Sequence, residues 1–118
     1  MDVLYRGIGD VIAHHAPEVV ALEQLIHSPR ASSAFQVGHA RGVVLLAAAQ
    51  HGMKVYEYGP PAVKQAVVGY GRAEKAQVAQ MVRVLLGLSE VPKPADATDA
   101  LAVAICHLHS LDRPGEAP

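Results

Sequence analysis

The stretch EVVALE, residues 18–23, is short, apolar and rich in β-branched side chains. Turn signals flank it, Pro17 before it and the polar run QLIHSPR (24–30) after it. Those features read as a β-strand. A second run, MKVYEY (53–58), reads the same way and is closed by Gly59, Pro60 and Pro61. From Ser32 or Ser33 to about Gln50 the chain has helical character, with Gly52 as its stop. Two strands joined by one helix make a βαβ unit, whose strands lie parallel. Both strands look apolar enough to be covered on two faces.

Outward from this unit the elements are helical. DVLYRGIGDVIAHH places Val3, Leu4, Ile8, Val11 and Ile12 toward one helical face, and Pro17 ends it. After the second strand, the prolines preset a short helix at about 61–68. GYG (69–71) is a turn, RAEKAQVAQMVRVLLG is a helix stopped by Gly87, and a last helix runs from about Asp96 to His109. The expected order is α-β-α-β-α-α-α. A two-stranded parallel sheet is a small core, because sheets usually hold more strands. The strand 18–23 is therefore expected to carry an unpaired backbone edge.

The 118 residues suit one domain, and 51% hydrophobic residues without Trp describe a globular, helix-rich core. One cysteine, Cys106, excludes a disulfide within the chain. The start has no secretory pattern. The longest apolar run, GVVLLAAA (42–49), is short of the roughly 20 residues that a membrane span needs. A cytoplasmic protein without membrane contact is the expectation. The net charge is −1, but residues 30–93 carry eight Lys and Arg against three Asp and Glu. A basic middle beside acidic ends suits a cation site next to a polyanion, or else ordinary solvated faces.

Asp96 and Asp99 open the apolar helix 94-PADATDALAVAICHLH-109. Spaced i, i+3, they lie on nearly one face. Asp96 fits an N-cap and Asp99 a first-turn acid, which is one reading of the pair. Glu23 opens another. It ends a parallel strand, at the edge where open α/β sheets build their sites. One strand-end acid and two acids from a later helix would offer hard oxygen donors suited to Mg2+ or Mn2+. A strand-end glutamate can equally be solvated. A converged cluster would fit metal-assisted phosphodiester hydrolysis, one ion activating water and another stabilising the leaving oxygen. His107 and His109 point about 200° apart on a helix and cannot share one ion. They read as helix-end cations, as do His14 and His15. Cys106 reads as a small buried apolar residue.

VALEQ (20–24), GHARGVVLLAAAQ (38–50), VYEYGPPAVKQAVVGYGRAEKAQVAQMVRVLLGL (55–88) and ADATDALAVAICHLH (95–109) together resemble the RuvC family of bacterial Holliday junction resolvases. The likeness runs from about Leu4 to His109. It implies an RNase H-like α/β fold acting as a homodimer through the helix 33–50. It also implies Mg2+-dependent, symmetric nicking of four-way DNA junctions in recombination and repair, with two ions per site in a complete member. The branch-migration helicase complex is the partner the resemblance implies. By the same resemblance, Glu23, Asp96 and Asp99 match three of the family's four acidic metal ligands. Lys64 and Lys75 match its phosphate-binding lysines. Arg72 and Arg30 are candidate DNA contacts. Ile26 stands where the family often has an aromatic, and stacking a base on an aromatic is worth about 1–3 kcal/mol.

The fourth family acid lies in an early GIDPG-like motif. RGIGD (6–10) does not supply it, because it falls in the helix before EVVALE. The expectation is a domain over 1–110 that lacks the family's opening three strands, followed by a flexible tail, 111–118. The principal alternative is an inactive fragment retaining only dimerisation or weak DNA binding. Another RNase H-like nuclease, acting on RNA, is a third reading.

Overall fold

The computed structural model describes residues 2–24 and 31–111, leaving aside the side chains of 31–34. In chain order the elements are α1 (Asp2–His15), β1 (Val19–Glu23), α2 (Ala31–Gln50), β2 (Lys54–Tyr58), α3 (Pro60–Val67), α4 (Lys75–Leu85) and α5 (Ala95–Leu111). This is the expected order, with each strand beginning one residue later than read from the sequence. β1 and β2 run parallel as a two-stranded sheet. Among the described residues β1 has β2 as its sole ladder partner, and every residue of β1 is half-buried. The two covered faces expected of β1 are therefore only partial. No described helix is long and apolar enough to cross a membrane.

α1, α2 and the first residues of both strands form one compact unit. α1 packs on α2, and Leu4, Ile8 and Ile12 form a half-buried row at four-residue spacing, flanked by half-buried Tyr5 and Gly9. Val3 and Val11 are 86% and 53% exposed, so the broad face expected of α1 narrows to that row. They stand one residue earlier than Leu4 and Ile12, about 100° further round the helix. The RGIGD run lies inside α1, where Arg6 pairs with Asp2 at 3.3 Å. The Tyr5 hydroxyl donates to the Gln50 side-chain oxygen. α2 stops at Gly52, whose φ of 67° lets the Met53 N–H reach the Ala48 carbonyl at 2.9 Å.

The strand ends Ala21–Gln24 and Tyr56–Tyr58, with α3, α4 and α5, belong to the second unit. Its core is built on helical i, i+4 pairs: Val63 with Val67, Val78 with Val82, and Ala102 with Cys106, joined by Val103, Ile105 and Tyr58. Gly59 caps α3 ahead of two prolines in its first turn. A reciprocal Glu74–Gln77 capping box starts α4. α4 ends before Gly87, at φ 66°, with the Leu88 N–H on the Arg83 carbonyl at 2.9 Å.

Two expectations for α5 are corrected. The helix begins at Ala95, so Asp96 is an exposed first-turn residue and not the N-cap. The start is instead tied down by Thr98, whose hydroxyl donates to the Pro92 carbonyl at 2.8 Å. His107 is not an exposed helix-end residue: it is 6% exposed and its Nδ1 lies 2.6 Å from the Tyr58 hydroxyl. Its position explains this, since Asp99, Val103 and His107 repeat every four residues along one face of α5, and His107 meets the Tyr56 and Tyr58 rings of β2. The Tyr56 ring packs against the imidazole at 4.7 Å, and Ser110 bonds both the Tyr58 hydroxyl and the His107 carbonyl. His109 places Nδ1 at 2.9 Å from the Ala66 carbonyl. Cys106 is buried, as expected.

Candidate active site

Glu23 is the last residue of β1. The Gln24 N–H donates to the Tyr58 carbonyl at 2.8 Å, which sets the carboxyl ends of the two strands side by side. The Gly59–Pro60 corner then turns the chain into α3, and Lys64 follows one helical turn after Pro60. Lys75 is the first residue of α4, and Asp99 opens the second turn of α5. These four side chains line one open cavity of about 210 Å³ in the second unit, over an apolar floor of Pro60, Val63, Val78 and Ala102. Four elements distant in sequence thus present two acids and two cations to one space.

The electrostatics follow from that convergence. Burial raises the Glu23 carboxyl above the usual value for a glutamate, and the negative charge of Asp99 adds to the shift. Lys75 and then Lys64 oppose it. Lys75 Nζ is 3.4 Å from Asp99 Oδ2, with the two side chains 72% and 37% exposed. A pair so open to water contributes little stability and exchanges partners readily.

The other sequence-read residues fall differently. Asp96 does not line the cavity. It sits three residues before Asp99, roughly 4.5 Å back along the helix axis. Among the described residues no three His, Cys, Asp or Glu side chains lie close enough together to hold one metal ion. Arg72 is exposed in the turn before α4 and does not line the cavity. Ile26 and Arg30, with the rest of the expected loop, lie outside the described residues. The apolar floor was not singled out in the sequence, although Val63 and Val78 stand one residue before Lys64 and three after Lys75. The Tyr58–His107–Ser110 network was also missed. The four-residue row from Asp99 through Val103 to His107 was the available signal.

The pair Glu23 and Asp99 fits the donor demand of a hard divalent cation. Magnesium is commonly held by one or two carboxylates, with water and substrate phosphate completing its shell. The rise that Asp99 imposes on Glu23 means their oxygens share a field that a cation would relieve.

An α/β domain with acids and lysines gathered at the carboxyl ends of parallel strands has the make-up of an RNase H-like fold. Comparison with known proteins gives the family. The model of crossover junction endodeoxyribonuclease RuvC matches residues 1–107. The RuvC of Caldanaerobacter subterraneus subsp. tengcongensis is 58% identical over 107 residues, covering 91% of this chain and 65% of that protein. The RuvC of Desulfitobacterium hafniense (strain DSM 10664 / DCB-2) is 58% identical over 110 residues, covering 93% and 67%. A Thermus thermophilus RuvC structure has a TM-score of 0.87 at 41% identity, covering 94% of this chain and 67% of that one. T. thermophilus RuvC in complex with Holliday junction substrate gives 0.91 at 42% identity, with 98% and 70% covered. The chain belongs to the RuvC family, its fold is RNase H-like, and it spans about two-thirds of the length of these curated relatives.

Proposed function

We propose that this chain carries the phosphate-handling and metal-binding part of a Holliday junction endonuclease. The observation that carries the reading is the joint presence of Glu23, Asp99, Lys64 and Lys75 around one cavity in a RuvC-family chain. Lys64 and Lys75 neutralise the scissile phosphate and hold it over the apolar floor. Phosphate contacts of this kind fix position, and junction shape gives selectivity. Glu23 and Asp99 hold Mg2+, or Mn2+ in its place. Asp96, exposed one turn earlier on the same helix, is the third ligand of the proposal. Without a cation, its negative charge has no reason to approach the other two acids. A bound ion would supply an activated water as nucleophile and stabilise the leaving oxygen. Here Lys75 exchanges its open contact with Asp99 for the incoming phosphate.

Dimer formation belongs to the same proposal. α2 presents Phe35, Val37 and Leu46 to solvent, at 69%, 37% and 52% exposure. Gly38 and Gly42 lie between them and would allow close approach of a second copy. Twofold pairing would deliver two cuts to one symmetric junction. Action in the cytoplasm beside a branch-migration helicase complex, and the division into a domain over 1–110 and a tail, complete the reading.

The test is a labelled four-way junction incubated with the chain and Mg2+. Glu23→Gln, Asp96→Asn and Asp99→Asn should each lower cleavage at least about 100-fold while junction binding persists. Chelation by EDTA should abolish cutting. Cleavage indifferent to Asp99→Asn, or equal cutting of linear duplex, or preference for RNA, would refute the reading.

A further inference from the structure

A second cavity, of about 280 Å³, adjoins the first in the same unit. The two share Lys75, Val78 and Asp99 as a common wall, so they lie on either side of the Lys75–Asp99 pair. The far wall of the second cavity is apolar, formed by Ala79, Val91 and Pro92, with one additional charge, Lys93. Among the described residues no carboxylate pairs with Lys93. It is exposed, and prolines stand on both sides of it. Their fixed φ limits the freedom of the segment. The Thr98 hydroxyl holds that segment to α5 through the Pro92 carbonyl at 2.8 Å. Lys93 is thus a solvent-facing cation on a pinned backbone, beside a largely apolar recess that shares a wall with the phosphate-handling site.

We infer that this recess is a second DNA subsite: Lys93 receives the phosphate next to the scissile one, and the recess takes the intervening sugar and base edge. The inference rests on the function proposed above and extends it by one nucleotide along the same strand. The chemistry selects such a ligand. A nucleotide step brings one phosphate beside a sugar–base unit, and the recess offers the Lys93 cation beside a largely apolar wall. The contact is made to phosphate and not to base edges, so it is independent of sequence. Lys75, on the shared wall, lies between the two phosphates and keeps the strand in register.

The experiment measures binding of the full chain to a four-way junction by fluorescence anisotropy across a salt series, with wild type, Lys93→Ala and Lys93→Arg. Lys93→Ala should weaken binding about fivefold irrespective of arm sequence and lower the salt slope by about one. Lys93→Arg should restore both. Junctions carrying a single neutral methylphosphonate, moved one position at a time around the nick, then locate the contact. One position flanking the scissile phosphate should weaken wild type but have no further effect on Lys93→Ala. If Lys93→Ala binds with wild-type affinity and slope, or if methylphosphonate and Lys93→Ala losses add at every flanking position, the subsite is refuted while the proposed function stands. If wild type shows no preference for a junction over linear duplex, the proposed function fails and takes the subsite with it. Thermal melts guard against misfolding, and an exposed Lys93 makes equal melting the expected control.

Discussion

Glu23 shows how a single residue records its surroundings. Its carboxyl is pushed upward chiefly by burial and then by Asp99, more than Lys75 and Lys64 pull it down. Such a group holds its proton more tightly folded than unfolded. The stability it contributes is therefore full below the unfolded pKa and is lost as pH rises through the folded one. Glu23→Gln should accordingly melt about 1–3 °C higher than wild type at about pH 7, with the difference closing toward about pH 3. Melting curves at the two pH values, in the presence of chelator, check this. A Glu23→Gln chain that melts lower at neutral pH would show that the lysines dominate. A divalent ion should reverse the order of stability, because it favours the ionised wild-type carboxylate.

At the scale of elements, termination signals were readable because they depend on local backbone chemistry. Gly52 and Gly87 take φ of 67° and 66°, a region costly for other residues, and both helices stop there. Gly87→Ala should destabilise the chain by about 1 kcal/mol and lower its melting temperature by several degrees with little change in junction affinity, as thermal denaturation and anisotropy will show. The start of α5 was less readable. Asp96 carries an N-cap side chain, yet Ala95 is already helical and Thr98 does the tethering through Pro92. Two competing polar residues two positions apart left the local pattern ambiguous, and the bond to Pro92 decided it. His107 was misread for a related reason. Its place near a helix end suggested charge, while its four-residue row belonged to the buried face.

At the scale of the molecule, the two compact units divide the proposed work. The unit of α3, α4, α5 and the strand ends contains the acid–lysine cavity and its neighbour. The unit of α1 and α2 carries the exposed apolar face of α2. Leu46→Lys should therefore convert a dimer to a monomer in sedimentation or light scattering. It should also uncouple the two nicks of a junction, with single cuts accumulating, while the fold is retained. A Leu46→Lys chain that remains dimeric would place the contact elsewhere.

The order of strands and helices, the parallel βαβ unit and the candidate acids followed from the residue pattern, and the lysines came only through the family resemblance. Period, β-branching, glycine and proline act over a few residues and need no knowledge of distant neighbours. The grouping around the site required the tertiary structure. Glu23, Lys64, Lys75 and Asp99 sit on four elements, and only packing of α3 and α4 against α5 beside the strand ends brings them to one cavity while Asp96 stays outside it. The same packing turned His107 inward and set Lys93 beside the site. Such placements depend on how helix faces bury apolar surface against one another, and that burial is a property of pairs of elements and not of any one of them.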